Sequence, residues 1–150
     1  ALPILMGLNW PKSGPNHVPS FEISGLPYVT RSSGAGEVTN AVIKHSFPFV
    51  TRFFSIGNPS ANALRVGFSE NGVKSTETAN YIVVGGYTSA SMATRHERRC
   101  KDLYFLRDTG QNADFEILAG LTSVSHDQMP LLTGSNDPTK PQGIVWAGIG

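Results

Sequence analysis

Leu64-Arg65-Val66-Gly67-Phe68-Ser69-Glu70-Asn71-Gly72-Val73 decides the fold class of this chain. Leu64, Val66 and Phe68 recur at every second position, and Arg65, Gly67 and Ser69 fill the gaps between them. A period of two sends one set to a buried face and the other toward solvent, as in a half-buried strand. Phe68 is expected to be buried with Leu64 and Val66. Asn71-Gly72 follows with two residues that tolerate positive φ, which predicts a tight hairpin turn.

The same rhythm extends in both directions. Phe49-Val50-Thr51-Arg52-Phe53-Phe54-Ser55-Ile56 carries apolar groups on both faces and reads as a central strand. Arg52 interrupts one face, so it is expected near a strand end or in a subunit contact. Asn80-Tyr81-Ile82-Val83-Val84 is a short apolar run that Gly85-Gly86 ends. Cys100, Asp102, Tyr104 and Leu106 alternate with Lys101, Leu103 and Phe105. Phe115, Ile117, Ala119 and Leu121 form one inward face, opposite Asp114, Glu116, Leu118 and Gly120. Strands are therefore predicted near 37–45, 48–57, 63–70, 80–85, 98–107 and 113–123, with a weaker one near 87–93. No stretch has a convincing amphipathic helical period. The chain reads as all-β, an antiparallel β-sandwich spanning 37–124.

Two flanks lie outside that block. Residues 1–36 hold Pro3, Pro11, Pro15, Pro19 and Pro27 and end in Ser32-Ser33-Gly34-Ala35-Gly36. Proline removes a ladder donor and restricts its predecessor. An extended N-terminal arm is predicted, with one edge strand through Phe21-Glu22-Ile23. Leu2, Ile4, Leu5, Met6, Leu8 and Trp10 are too apolar for such an arm to stay in water, so it should pack on its own domain or on a neighbour. Residues 125–150 form a C-terminal tail broken by Pro130, Pro138 and Pro141. Its last apolar segment, Gly143 to Gly150, is suited to adding a strand.

Composition sets wider bounds. The 150 residues fit one domain, large enough to bury a core without metals or disulfides. Charged residues are 15%, below the roughly 25% of an average globular protein. A low charge content suits a surface that partners cover. The formal net charge of +1 gives no global pull toward nucleic acid or membrane. The single cysteine, Cys100, has no internal disulfide partner, which favours a reducing compartment. There is no apolar run long enough for a transmembrane helix. The apolar start lacks a preceding basic region and is interrupted by Pro3, so it is read as the start of a chain that has lost its initiator Met rather than as a signal peptide.

Candidate chemistry is sparse. His96 and Cys100 have the i, i+4 spacing of paired metal ligands on a helix, but on a strand they would lie about 13 Å apart. Ser125-His126-Asp127 has the residue types of a hydrolytic triad, yet sequence neighbours cannot set up its relay. His17 and His45 have no nucleophile context. Arg95-His96-Glu97-Arg98-Arg99-Cys100-Lys101 is the densest basic run and could touch phosphates, but it lacks the aromatic signature of an RNA binder. It reads instead as a solvated loop or a subunit contact. Gly34-Ala35-Gly36 and Gly85-Gly86 precede neither a Lys-Ser/Thr pair nor a helix, so neither is a phosphate loop. Trp10 and Trp146 could stack on a sugar or anchor a terminal segment in a groove. No catalytic, cofactor or metal residue is assigned.

Pro48 to Phe54, Leu64 to Val73, Asn80-Tyr81-Ile82-Val83 and Leu118-Ala119-Gly120-Leu121-Thr122 together resemble a small capsid protein. The resemblance is to the single-jelly-roll penton, or vertex, proteins of large icosahedral double-stranded DNA viruses, and it spans residues 47 to 122. It implies a single jelly roll with extended arms and a structural role without catalysis or cofactor. It also implies a homopentamer at the five-fold vertices, with arms that reach neighbouring major and minor capsid proteins. The expected location is the virion, after assembly in the host cytoplasm or nucleus. No large insertion between strands is present, so a receptor-binding role is not implied. Candidate subunit contacts are Leu2, Ile4, Leu5, Trp10, Arg52, Arg98, Arg99 and Trp146. The alternative is a carbohydrate- or protein-binding β-sandwich module using Tyr81, Tyr87 and Trp146. A third class, a β-sandwich enzyme, requires at least two of His45, His96 and His126 to converge.

Overall fold

The computed structural model describes residues 14–21, 25–74, 79–87, 95–130, 132–133 and 144–145. Its strands are β1 (Leu26–Arg31), β2 (Ile43–Ser46), β3 (Phe49–Gly57), β4 (Leu64–Gly67), β5 (Tyr81–Val84), β6 (Arg95–His96), β7 (Asp102–Arg107), β8 (Glu116–Ser125), β9 (Leu132–Thr133) and β10 (Ile144–Val145). One short helix, α1 (Glu70–Lys74), lies between β4 and β5. Two four-stranded sheets run in the orders β1-β8-β3-β6 and β2-β7-β4-β5, and every pairing within them is antiparallel.

The pairings are nested. β1 pairs with β8, β2 with β7, β3 with β6, and β4 with β5. The chain thus behaves as one long hairpin whose tip lies between β4 and β5. Contacts of β3 with β8 and of β4 with β7 join the nested ladders into sheets. The inner faces then meet. Phe54, Ile56, Ile117, Ala119 and Leu121 of one sheet pack with Leu64, Val66, Val84, Leu103 and Phe105 of the other in one buried cluster. Two face-to-face sheets with almost no helix are consistent with a β-sandwich.

β7 is buried on both faces, and α1 explains why. Val73 of α1 is fully buried against Tyr104 and Leu106 on the outer face of the second sheet. Asn71-Gly72 accordingly lies in a helix and not in the expected hairpin turn. The competing signal is Ser69, whose hydroxyl accepts the Gly72 N–H at 2.9 Å and caps the helix start. β4 stops at Gly67, and Phe68 beyond it is only half-buried, although it still packs on the core.

Other boundaries also shift. The sheets begin at Leu26, so residues 26–31 of the expected N-terminal arm are a strand. Pro27 hid it, but on an edge strand a missing N–H costs no ladder bond. Phe21 ends a 3-10 turn, Val18–Phe21, and residues 22–23 of the expected edge strand lie outside the described residues. The strand expected at 37–45 is a single bridge, Val38 with Ala113, followed by β2. The strand expected at 98–107 begins at Asp102, and that expected at 87–93 falls almost wholly outside the described residues. Ile144–Val145 does form a strand, in parallel with Leu132–Thr133 and separate from both main sheets. Gly86, after β5, passes so close to the Ser60-Ala61 backbone that a Cβ would run into the Ala61 carbonyl.

Candidate functional site

Arg52 and the run from Arg95 to Lys101 come together on one side of the sandwich. Register shifts in β3 on either side of Thr51 disturb its pairing with β8, as a bulge does. Thr51 becomes fully buried, while Arg52 turns outward to Glu97 at 3.4 Å. Arg95 approaches the same carboxylate at 2.6 Å and stacks over the Phe53 ring at 4.0 Å. Arg99 Nη1 donates to the Pro15 carbonyl at 2.9 Å. Arg98 and His96 border a cavity of about 400 Å³ floored by Phe54, Val66 and Phe68. Arg52, Arg98 and Arg99, expected as contacts from sequence, thus share one region. Leu2, Ile4, Leu5, Trp10 and Trp146 lie outside the described residues.

The link between β6 and β7 is pinned from within. Thr51 Oγ1 donates to the Arg98 carbonyl at 2.8 Å and accepts the Cys100 N–H at 3.0 Å. Cys100 is buried, and that burial pushes its thiol up to about 12. The thiolate needed for nucleophilic attack is then scarce at neutral pH. Iodoacetamide should leave Cys100 unmodified in the native protein and alkylate it fully in denaturant. Complete labelling of the native protein, read by intact mass, would contradict this placement.

Asp102 is the most connected acidic group. Its side chain is 7% exposed at the start of β7. His126 Nε2 donates to it at 3.0 Å, Lys44 Nζ stands at 3.9 Å, and the Ser46 hydroxyl also hydrogen-bonds to it. Register produces this grouping, because Ser46 is the cross-strand partner of Asp102. Burial raises the Asp102 pKa, but the bonds from Ser46 and His126 and the Lys44 charge outweigh it and hold it below the usual carboxylate value. Ser, His and Asp are therefore in contact, but in the wrong order for nucleophilic catalysis. A relay needs the imidazole between hydroxyl and carboxylate. Here the carboxylate is central.

The histidines occupy separate surroundings. His45 packs among Tyr28, Phe47 and Phe115, with its Nε2 2.9 Å from the Tyr28 hydroxyl. Burial lowers its pKa, and the charge of Asp102 opposes that shift. His96 lies against Phe54, and His126 serves Asp102. Among the described residues no group of His, Cys, Asp and Glu is placed to hold a metal.

No protein-family model, curated protein or solved structure matches this chain.

The residues themselves must then carry the reading. Sequence reasoning missed Asp114, whose carboxylate accepts Ser32 Oγ at 3.0 Å and the N–H groups of Gly36 at 2.9 Å and Glu37 at 3.2 Å. Its burial acts upward on the pKa, and these bonds with nearby Arg31 bring it down. Within the Gly34-Ala35-Gly36 loop, the Gly36 N–H thus serves a carboxylate of the same chain. Thr51, Asp102 and Asp114 left no signal in the sequence, since each works through partners far away along the chain. Among the described residues no helix is long and apolar enough to cross a membrane.

Proposed function

We propose that this protein is a structural capsid subunit: a single jelly roll of the penton type that forms a homopentamer at icosahedral five-fold vertices. The nested strand pairing carries the proposal. Eight strands in the orders β1-β8-β3-β6 and β2-β7-β4-β5 correspond to the two interlocked Greek keys of a jelly roll, a fold used by viral capsid domains. A second feature supports assembly. Val29 of β1 and Leu118 of β8 are cross-strand partners on the outer face of the first sheet, and they are 76% and 52% exposed. Adjacent exposed apolar groups suit a covered surface. In a five-fold ring each contact is heterologous and closes by rotation, so this face would meet a different face of the next copy. Its location is then the virion, beside major and minor capsid proteins.

Native mass spectrometry of protein released from particles at low ionic strength should show a pentamer. Leu118→Glu should shift it toward monomer with an unchanged circular dichroism spectrum. A monomer under all conditions, together with absence from purified virions, would remove the proposal.

Jelly rolls also serve lectins, and Tyr87 favours a second reading as a binding module because it is 70% exposed. Tyr81 is less available to a sugar, with the Arg65 guanidinium 4.4 Å above its ring. Glycan-array binding lost on Tyr87→Ala would favour this second reading.

A further inference from the structure

Three loops meet at one end of the sandwich: 32–42 after β1, 58–63 after β3 and 108–115 after β7. Hydrogen bonds brace them against one another. Asp114 ties the third loop to the first, through Ser32 Oγ at 3.0 Å and the Gly36 N–H at 2.9 Å. Asn62 Nδ2 donates to the Asn112 carbonyl at 2.8 Å and ties the second loop to the third. A backbone bridge joins Val38 to Ala113. Two cavities of about 590 Å³ each lie among these loops, and Ala35 and Asp114 line both.

The walls are polar, with no aromatic ring and no large aliphatic side chain among the lining residues. A guanidinium stands in each cavity. Arg107 Nη1 donates to the Gly110 carbonyl and to Asn112 Oδ1, both at 3.2 Å. Those bonds hold the side chain and leave its Nε–Nη2 edge without a partner among the described residues. That edge is a fork able to take an oxyanion by two parallel bonds. Arg31 lines the adjoining cavity. Glu116 is its cross-strand partner, yet Arg31 makes no ion pair among the described residues. The Asp114 carboxylate is occupied by Ser32, Gly36 and Glu37. Asn62, Gln111 and Asn112 add side-chain amides, each both donor and acceptor.

We propose that this end of the sandwich binds an acidic saccharide, one that carries a carboxylate or a sulfate on a sugar. The acid group bonds to the Arg107 fork, and Arg31 adds its charge from the adjoining cavity. Sugar hydroxyls, each donor and acceptor, bond to the amides of Asn62, Gln111 and Asn112. A saccharide is polar over most of its surface, as these walls are. A nucleic acid fits less well, because its bases find no ring to stack on here. The braced loops have little freedom left to lose, which lowers the cost of binding. The proposal goes beyond the capsid reading and needs no five-fold ring. Nor does it depend on Tyr87, which lines neither cavity.

The test titrates the full nitrogen-15-labelled chain with three sugars on one core: sialyllactose, sulfated lactose and plain lactose. Sodium sulfate and a thymidine oligonucleotide are the controls. At least one acidic lactose should give saturable amide shifts confined to 31–37, 59–62 and 107–114, and which one does so identifies the acid group. Plain lactose should bind about fivefold or more weakly. Arg107→Gln should weaken the acidic sugar by a similar factor, and Arg107→Lys should restore little, because the charge returns without the fork. Arg31→Gln, at an exposed position, should also weaken it, whereas Arg98→Gln, away from these loops, should not. Unchanged amide positions outside the loops show that each variant is folded. Several results would overturn the proposal: no saturable binding of either acidic lactose, equal binding of plain lactose, or indifference to both Arg31→Gln and Arg107→Gln. So would sodium sulfate binding as tightly as the sugars, or tighter binding of the oligonucleotide. Lactose binding that is lost on Tyr87→Ala and unaffected by Arg107→Gln would favour the second reading above and overturn this one. Sedimentation tests the capsid reading separately, since a monomer that binds the acidic sugar counts against that reading alone.

Discussion

Phe105→Ala should lower the free energy of unfolding by about 3–5 kcal/mol. Phe105 is fully buried in β7, and its ring stacks on Phe115 with centroids 4.4 Å apart. β7 is held by β2 on one side and β4 on the other, so the backbone is unable to move in and fill the void. The loss is then the transfer term plus most of a cavity term. Phe68 is the natural contrast. It is half-buried at the cavity that His96 and Arg98 border, and truncation there leaves less of an enclosed void. Leu118→Ala, on the exposed outer face, should stay within about 0.5 kcal/mol in the monomer. Urea unfolding would give the ranking Phe105 above Phe68 above Leu118, with an unchanged denaturant slope. A loss under about 1 kcal/mol at Phe105 would mean that the two sheets do not pack as described. Since such a domain is stable by only about 5–15 kcal/mol, the expected loss is a large share of the total.

The period-two signal was readable wherever one face is core and the other is solvent. Ile117, Ala119 and Leu121 are buried, and Leu118 between them is exposed, as the alternation requires. It faltered where a second layer covers the outer face. Tyr104 and Leu106 are as buried as Leu103 and Phe105, because α1 sits over them, and nothing local to β7 announces that helix. It also faltered at Pro27, where a residue hostile to a central strand is tolerated at an edge. The nested pairing and the Asp102 cluster were beyond reach for a different reason. Pairing is a long-range property, and Asp102 meets His126 across 24 positions. The arginine cluster was visible as a run of charge, but the cavity beside Arg98 arises only when β5 and β6 come opposite each other.

Asp102→Ala should cost about 2–3 kcal/mol near neutral pH, more than a typical surface substitution and less than a fully enclosed ion pair. The carboxylate is buried, but Lys44 beside it is 50% exposed, so water screens part of that attraction. The larger share comes from the Ser46 hydroxyl and His126, which would both lose their acceptor. The pH dependence separates this electrostatic role from simple packing. The folded-state pKa of Asp102 lies below its unfolded value, so between the two the unfolded chain binds more protons. The contribution is complete above the unfolded value of about 4 and disappears as the pH falls through the folded value. The difference between wild type and Asp102→Ala should therefore be largest near neutrality and shrink below about pH 4. Asp102→Asn should flatten the same acid limb while costing less at neutral pH, since the amide oxygen still accepts a bond from His126. Some acid sensitivity should survive in both variants, because the Asp114 pKa is lowered as well. His45 is another source, at higher pH: its pKa is depressed, so its contribution begins to fall once the pH drops below about 6.5. Urea unfolding at a series of pH values reads wild type and both variants. A penalty for Asp102→Ala that is the same at pH 7 and in acid would show that the carboxylate acts through packing alone.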